Sequence, residues 1–150
     1  MKSFIIAIIG LIIASCQSPL LFEQYQELPK ECWNKYQELE YPIKIADSGL
    51  YHIELHIRHT TDYKFSSIWC ILSTRSQMKT ALRDTICIHV ADTNGRWLGS
   101  GNTLKNLTQP ISHNPIALPS GTIRFRIKHG MGIELEGVKS VGISIKKVIE

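Results

Sequence analysis

Three side chains that could bind a metal ion share one face of a predicted strand: His52, Glu54 and His56, at two-residue spacing. Alternate residues of a strand point to the same side of a sheet, so these three would lie in a row. Imidazole and carboxylate groups are ligands for zinc and related ions. The sequence assigns no further ligand to this row, and apolar residues separate its members. We therefore predict that these three side chains form the solvent-exposed face of an amphipathic strand. We predict no bound metal and no cofactor.

A second polar group lies in a loop that contains glycine. Asp92, Asn94 and Gly95 match the start of a calcium-binding loop, but the later acidic position and the closing glutamate of such a loop are missing. Asn-Gly instead predicts a tight hairpin turn with positive φ at both residues, after which Trp97 begins the return strand. We interpret this segment chiefly as structural. Asp92, Asn94, Gly95 and Trp97 also form a candidate surface for a partner or ligand.

Motifs for catalysis are not found in the sequence. No serine lies in a nucleophile-elbow pattern, and no cysteine and histidine are paired beyond what strand packing explains. We therefore predict that the protein is not an enzyme. Aromatic residues of a β-sandwich can bind sugars, so a glycan- or ligand-binding module stays as the alternative. Its candidates are Tyr63, Trp69 and Trp97, although aromatic residues at strand positions are more often part of the core.

The most specific motif predicts lipidation of a thiol. Ile13, Ala14, Ser15 and Cys16 place a branched apolar residue and two small residues before a cysteine. This resembles the lipobox of bacterial lipoproteins, in which the cysteine accepts a diacylglycerol and a peptidase cuts before it. Upstream, one lysine followed by a short apolar run has the layout of a secretory signal peptide. The apolar run is too short to span a bilayer. We predict cleavage before Cys16 and anchoring to a membrane by acyl chains.

Length and composition predict one extracytoplasmic domain behind this anchor. We assign residues 1–15 to the signal peptide, 16–37 to the lipidated N-terminus and a tether, and 38–150 to the domain. The chain has 17 Lys and Arg against 13 Asp and Glu, scattered along its length, which argues against a nucleic-acid partner. After the anchor, Cys32, Cys70 and Cys87 allow at most one disulfide. We expect Cys70 and Cys87, within apolar segments, to be buried and free.

Strand alternation predicts the fold class. Apolar and polar residues alternate over residues 39–45, 51–58, 123–128 and 141–146. Residues 65–72 are almost continuously apolar and predict a central strand that is covered on both faces. About eight short strands separated by turns indicate an all-β protein with a single β-sandwich, jelly-roll or immunoglobulin-like.

Two segments lack this alternation. Residues 17–37 contain two prolines and predict a short tether that lets the domain stand away from the bilayer. Residues 99–120 are rich in Gly, Asn, Ser, Thr and Pro, and predict a long connection with one short strand at residues 116–118.

Four motifs of the C-terminal half occur in an order that is typical of one family. They are Asp84-Thr85, Asp92-Thr93-Asn94-Gly95-Arg96-Trp97-Leu98-Gly99-Ser100-Gly101, Gly121-Thr122-Ile123-Arg124-Phe125 and Leu135-Glu136-Gly137-Val138-Lys139-Ser140-Val141-Gly142. Together with the lipobox, and with Trp33 before the strand that contains Tyr41, they resemble the GldH family of gliding motility lipoproteins from Bacteroidetes.

The resemblance implies a non-enzymatic component of the cell envelope, associated with gliding and secretion machinery and with envelope protein partners. Non-gliding members of the phylum also have such proteins, so motility itself is not implied. The chain departs from the family at Lys64, where a proline is common, and at Gly132, where an arginine is common. The segment after Cys16 lacks the acidic run that resembles a surface-export signal in this phylum. We therefore expect a periplasm-facing protein, with the outer membrane favoured over the inner.

Overall fold

The computed structural model describes residues 20–75 and 82–149 of the chain, so the predicted signal peptide and Cys16 lie outside the described residues. Within these ranges the long elements are all strands, which confirms the predicted all-β class. No helix among the described residues is long and apolar enough to cross a membrane. The strands are β1 (Leu20–Glu27), β2 (Cys32–Trp33), β3 (Leu39–Ile45), β4 (Gly49–Thr60), β5 (Ser67–Arg75), β6 (Leu82–His89), β7 (Leu104–Pro110), β8 (Ile116–Leu118), β9 (Gly121–His129), β10 (Leu135–Glu136) and β11 (Val138–Lys147).

The strands form two antiparallel sheets that pack face to face. Sheet I has the order β1-β11-β4-β7, with β8 also paired to β4, and sheet II has the order β3-β9-β5-β6. β2 and β10 form a separate two-stranded ladder. Successive long strands repeatedly change sheet, and the first long strand pairs with the last. This order is that of a jelly roll and not of an immunoglobulin-like sandwich, in which the first two strands lie in the same sheet.

Side chains at alternate strand positions fill the space between the two sheets. Because alternate residues point to the same face, the inner positions of both sheets meet in one core. The largest completely buried side chains are Trp33, Tyr41, Tyr51, Phe125, Leu55 and Ile57 with six further aliphatic residues. The hydroxyl of Tyr41 in sheet II donates a hydrogen bond of 2.8 Å to the carbonyl of Val141 in sheet I. This buried polar group is therefore satisfied across the sandwich.

Much of the expected tether is part of the sandwich. β1 lies within residues 16–37 and pairs with β11 along almost its whole length. A 3-10 turn at Pro29–Glu31 then leads to β2, where Trp33 is completely buried. β1 is an edge strand whose residues are mostly exposed or half-buried, so its sequence lacks the apolar alternation of an inner strand. Within the described residues, the sandwich therefore includes strands at residues 20–33, which the sequence assigned to the tether.

The outer face of β5 differs from the expectation. Ile68, Cys70 and Leu72 are buried in the core, but Trp69 is 47% exposed and Ile71 is only half-buried. The prediction that this strand is covered on both faces is therefore wrong. In a two-layer sandwich each strand has one face toward the core, whatever residues its other face carries.

The connection between residues 99 and 120 contains two strands, where the sequence predicted one. β8 confirms the short strand expected at residues 116–118. β7 was not predicted, because it lies at a sheet edge and its residues are exposed or half-buried. Its backbone pairs with β4 from Thr60 opposite Leu104 to Glu54 opposite Pro110, so hydrogen bonds and not apolar side chains define it.

Candidate functional site

A hydrogen-bonded network lies on the outer face of sheet I. Nδ1 of His56 is 2.9 Å from Oγ1 of Thr108 in β7, and its Nε2 is 2.8 Å from Oγ of Ser144 in β11. The Ser144 hydroxyl donates to Oε2 of Glu54 at 3.3 Å, and Nζ of Lys146 donates to the same oxygen at 2.9 Å. We call these five residues the outer polar network. It joins three neighbouring strands of the sheet.

These hydrogen bonds determine which protons His56 carries. Because Ser144 directs its proton to Glu54, its oxygen accepts from Nε2 of His56, and Nδ1 then accepts from Thr108. Burial lowers the pKa of His56, which agrees with a neutral ring. Burial alone would raise the pKa of Glu54, but the hydrogen bond and charge of Lys146, with the Ser144 hydroxyl, lower it overall. The pair is therefore a neutral imidazole and an ionised carboxylate.

The edge strand β1 covers part of this network. The ring centroid of Tyr25 lies 5.4 Å from that of His56, and the guanidinium carbon of Arg58 lies 3.9 Å from the Tyr25 centroid. Tyr25 is paired with Gly142 of β11, whose missing side chain makes room for the ring. As a result His56 is only 8% exposed. The face of β4 that was predicted to be exposed to solvent is half-buried, because β1 covers part of it. The sequence did not predict β1 as a strand.

In the predicted row of His52, Glu54 and His56, the side chains of Glu54 and His56 make polar contacts with other residues. Both ring nitrogens of His56 face hydroxyl groups, and the Glu54 carboxylate is paired with a lysine. His52 lies opposite Lys146 in the sheet register, next to a cation. Among residues 20–75 and 82–149, no group of three His, Cys, Asp or Glu is placed to bind a metal ion.

The loop after β6 is a three-residue hairpin turn. The N–H of Asp92 donates to the carbonyl of Arg96 at 2.9 Å, and the N–H of Gly95 donates to the carbonyl of Asp92 at 3.0 Å. The Asp92 carboxylate accepts the N–H groups of Arg96 and Asn94, and these bonds lower its pKa. Gly95 has a φ of 76°, but Asn94 is not in the positive-φ region. The expected two-residue Asn-Gly turn is therefore wrong, since a three-residue loop needs only one such residue.

Trp97 packs onto the core instead of beginning a regular strand. It forms a single bridge with Ala91, and its half-buried ring lies 4.9 Å from the ring of His59. His59 is completely buried, and its Nδ1 donates to the carbonyl of Thr60 at 2.8 Å. Burial lowers the pKa of His59, so this ring is also neutral. Of the candidate surface residues, Asn94 and Gly95 are exposed at the turn, while Trp97 serves the packing.

Sheet II exposes apolar side chains at one end of β5. Trp69 is 47% exposed, Phe65 37% and Ile133 46%. Phe65 and Ile133 line the same shallow depression of about 310 Å³. The N–H of Gly130 donates to the carbonyl of Trp69 at 2.7 Å, which places the loop before Ile133 against β5. We call Phe65, Trp69, Ile71 and Ile133 the apolar patch. It adjoins β6, which is the edge strand on this side of sheet II.

The three aromatic residues considered for sugar binding are not together on the surface. Tyr63 is 3% exposed, and its hydroxyl donates to the carbonyl of Ser67 at 3.0 Å. Trp97 is held against His59. Of the three, only Trp69 is exposed, at 47%.

The three cysteines in the described ranges are free. Cys70 is buried as expected, and burial raises its pKa to about 12. Cys87 is half-buried and lies opposite Trp69 in the register of β5 and β6, so the expectation of burial is wrong for this residue. Its position in an apolar segment did not reveal that it points to the outer face.

Both departures from the family pattern lie at exposed positions. Lys64 forms an ion pair with Glu136 at 2.8 Å. Gly132 has a φ of 75° in the loop between β9 and β10, a conformation that favours glycine.

The GldH lipoprotein family matches residues 20–145, a range that includes both sheets of the sandwich. The chain belongs to this family. A relative from Christiangramia forsetii, described as a gliding motility lipoprotein GldH homolog, is 26% identical over 154 aligned residues. The alignment covers 96% of this chain and 94% of the relative. These matches confirm the predicted resemblance, and they make the chain a member of a lipoprotein family associated with gliding motility.

Likeness to solved structures is weaker. The structure of Eiger TNF from S. frugiperda has a TM-score of 0.41 and 12% identity, with 73% of this chain and 65% of that chain covered. Dimeric latent PorU from Porphyromonas gingivalis has a TM-score of 0.34 and 10% identity, with 88% of this chain and 14% of that chain covered. This chain therefore spans less than two thirds of either of these structures.

Sequence reasoning missed both the apolar patch and the outer polar network. Trp69 and Ile71 have the same residue types as a core strand, so no local pattern marks them as exposed. His56 and Ser144 are 88 positions apart in sequence, and only the pairing of β4 with β11 brings them together. The one sequence signal for the network is that β4 and β11 both alternate apolar residues with hydrogen-bonding ones.

Proposed function

We propose that this protein is a lipid-anchored, non-enzymatic interaction component of a cell-envelope complex associated with gliding motility or secretion. The lipobox predicts that Cys16 carries the acyl chains, and the family match supports a lipoprotein. The protein faces the periplasm, with the outer membrane favoured over the inner, and its partners are envelope proteins.

The observation that carries the interaction role is the apolar patch. Aromatic residues are enriched in the cores of protein interfaces, and an exposed apolar cluster with a polar surround is typical of a contact surface. Here Trp69, Phe65 and Ile133 are each more than one third exposed. Lys64 and Glu134 line the depression that Phe65 and Ile133 share. The neighbouring edge strand β6 adds backbone groups that a partner can pair with.

A glycan-binding module is the other candidate, and the placement of the aromatic residues argues against it. Stacking on a sugar needs exposed rings, whereas Tyr63 is buried and Trp97 rests on His59. We therefore favour a protein partner over a glycan.

Purification from native membranes tests the interaction role. Trp69→Asp should remove a partner that co-purifies in stoichiometric amount with the parent protein. Tyr36→Asp is the matched control, since Tyr36 is 84% exposed and outside the patch. Both variants should melt like the parent. Retention of every partner by Trp69→Asp, or an equal loss in both variants, would contradict the proposed surface.

Metabolic labelling with a fatty acid tests the anchor. Cys16→Ser should abolish the label and leave uncut precursor, because the thiol is the acceptor of the lipid. Cys87→Ser is the control, as it removes a half-buried cysteine that has no place in the motif. Label retained by Cys16→Ser would contradict lipidation at this position.

A further inference from the structure

Very little chain separates the predicted lipid from the folded sandwich. β1 begins at Leu20, so only Gln17, Ser18 and Pro19 lie between it and Cys16. Fully extended, a step of four residues spans at most about 14 Å. A lipidated Cys16 would therefore hold the start of β1 close to the lipid headgroups. The tether is too short to let the domain stand away from the bilayer.

The end of the sandwich at which β1 begins has several exposed apolar side chains. Leu20 is 52% exposed, Leu21 41%, Leu50 46% and Ile149 56%. An open depression of about 350 Å³ lies at the same end, lined by Gly49, Leu50, Lys147 and Val148. We call Leu20, Leu21, Leu50 and Ile149 the apolar rim.

The strand register places Leu20 and Leu50 at the same end of sheet I. Leu20 lies opposite Lys146 in β11, and Lys147 lies opposite Tyr51 in β4. The N–H of Val148 donates to the carbonyl of Leu50 at 2.9 Å, which holds the segment before Ile149 beside β4. Leu20 and Leu50 are thus two strands apart, about 10 Å across the sheet.

Lysines lie beside these apolar residues. The side chains of Lys146 and Lys147 are 38% and 39% exposed, next to the carboxylates of Glu54 and Asp47 respectively. The aliphatic stem of Lys147 can pack on an apolar surface while its ammonium group, 3.5 Å from the exposed Asp47 carboxylate, reaches lipid phosphates. The rim therefore combines the two kinds of side chain that contact a bilayer interface.

We propose that the apolar rim docks on the lipid surface beside the acyl anchor and fixes the orientation of the sandwich. This inference rests on the proposed lipidation of Cys16. The short linker brings the rim to the bilayer, which is why a lipid surface is its occupant. β1 then points away from the membrane, and its eight residues place Glu27 about 25 Å farther out. Phe65 and Ile133 lie toward that far end, so the apolar patch stays free for a protein partner.

Fluorescence quenching on vesicles tests the docking. The full lipidated chain, with Cys32 and Cys87 changed to Ser, is labelled with a small fluorophore at Leu50→Cys. Ile133→Cys is a matched control, because Leu50 and Ile133 are both 46% exposed. The vesicles contain phosphatidylethanolamine, phosphatidylglycerol and a lipid with a nitroxide on its headgroup. We expect quenching several-fold stronger at position 50 than at position 133.

Two outcomes overturn the proposal in distinguishable ways. A mass spectrum without acyl chains on Cys16 contradicts the proposed anchor, and the docking falls with it. Acylated protein with equal quenching at positions 50 and 133 contradicts the docking alone.

A second measurement keeps the test independent of one label site. With the fluorophore at Ile149→Cys, the added changes Leu20→Asp and Leu21→Asp should reduce quenching, since they place charges in the rim. Leu98→Asp, at the far end of the sandwich and 38% exposed in the parent, should leave quenching unchanged. Unchanged quenching in the rim variant, with parental melting, would also overturn the proposal.

Discussion

The ring of Tyr25 fills the space that a side chain at Gly142 would need, because a Cβ there would lie 2.6 Å from Cδ1 of the tyrosine. Arg58 lies over the same ring, with its guanidinium carbon 3.9 Å from the centroid. The contact between Tyr25 and Gly142 joins the edge strand β1 to β11, the last strand in the chain. Substitution of either residue therefore tests the packing of β1.

Gly142→Ala should lower the free energy of unfolding by about 1 to 3 kcal/mol, the usual cost of overpacking a filled site. In a Tyr25→Ala background the same change should cost less, because the ring that it meets is gone. Urea unfolding of the four proteins in this cycle measures the coupling. Gly49→Ala is the control, since a Cβ at Gly49 would make only ordinary contacts of 3.6 Å or more. If Gly142→Ala is as mild as this control, β1 does not pack as described.

The glycines after Asp92 should differ in their sensitivity to substitution. Gly95 and Gly99 both have positive φ, at 76° and 82°. A Cβ at Gly95 meets nothing within 4 Å, whereas one at Gly99 would lie 2.4 Å from the carbonyl oxygen of Asn106. Gly95→Ala should therefore cost about 1 to 2 kcal/mol from the backbone conformation alone. Gly99→Ala should cost more, because the overlap is with backbone.

Urea midpoints of the two variants measure this difference. If both unfold like the parent protein but lose a co-purifying partner, the segment from Asp92 to Gly101 is a recognition site. Our structural interpretation of that segment would then be wrong.

Stability should fall as the pH drops below about 6.5, the ordinary pKa of histidine. Burial lowers the pKa values of His56, His59 and His129 in the folded protein. The unfolded chain therefore binds more protons than the folded chain between the lowered values and the ordinary one, and acid favours unfolding. The contribution of the neutral histidines to the free energy of unfolding is fully present above this pH window. It is lost progressively as the pH falls through the window.

Urea unfolding at pH 7.5 and pH 5.5 measures this dependence. His129→Gln should reduce the difference between the two pH values, although it also weakens the hydrogen bond to the carbonyl of Asn34. His113→Gln changes an exposed residue and serves as the control. An unchanged free energy of unfolding between the two pH values would show that the buried histidines do not control acid stability.

The orientation of the protein can be tested with protease on intact cells. The residues after Cys16 lack an acidic run, so we expect the sandwich to be protected until the outer membrane is permeabilised. Digestion before permeabilisation would place it on the cell surface. Fractionation of the two membranes then decides between outer and inner anchoring.

The sequence predicted the strands that bury one full face. β3 and β9 alternate strictly because their inner residues fill the core and their outer residues meet water. β1 and β7 could not be predicted in this way, since edge strands are held mainly by backbone pairing with a distant partner. The exposure of a side chain also depends on whether another strand covers its face of the sheet. For this reason His56 was wrongly expected to be exposed and Trp69 to be buried. Sequence alternation gives the side of a sheet but not what lies against it.

The pairing of β1 with β11 has a consequence for the order in which the protein folds. Leu20 and Lys146 are opposite each other, although nearly the whole described chain separates them. Contacts between such distant segments form late and slow the folding of a sandwich. Because the chain is synthesised from its N-terminus, β1 is made long before its partner β11. Sheet I therefore stays incomplete, with apolar strand faces unprotected, until the last segment is available.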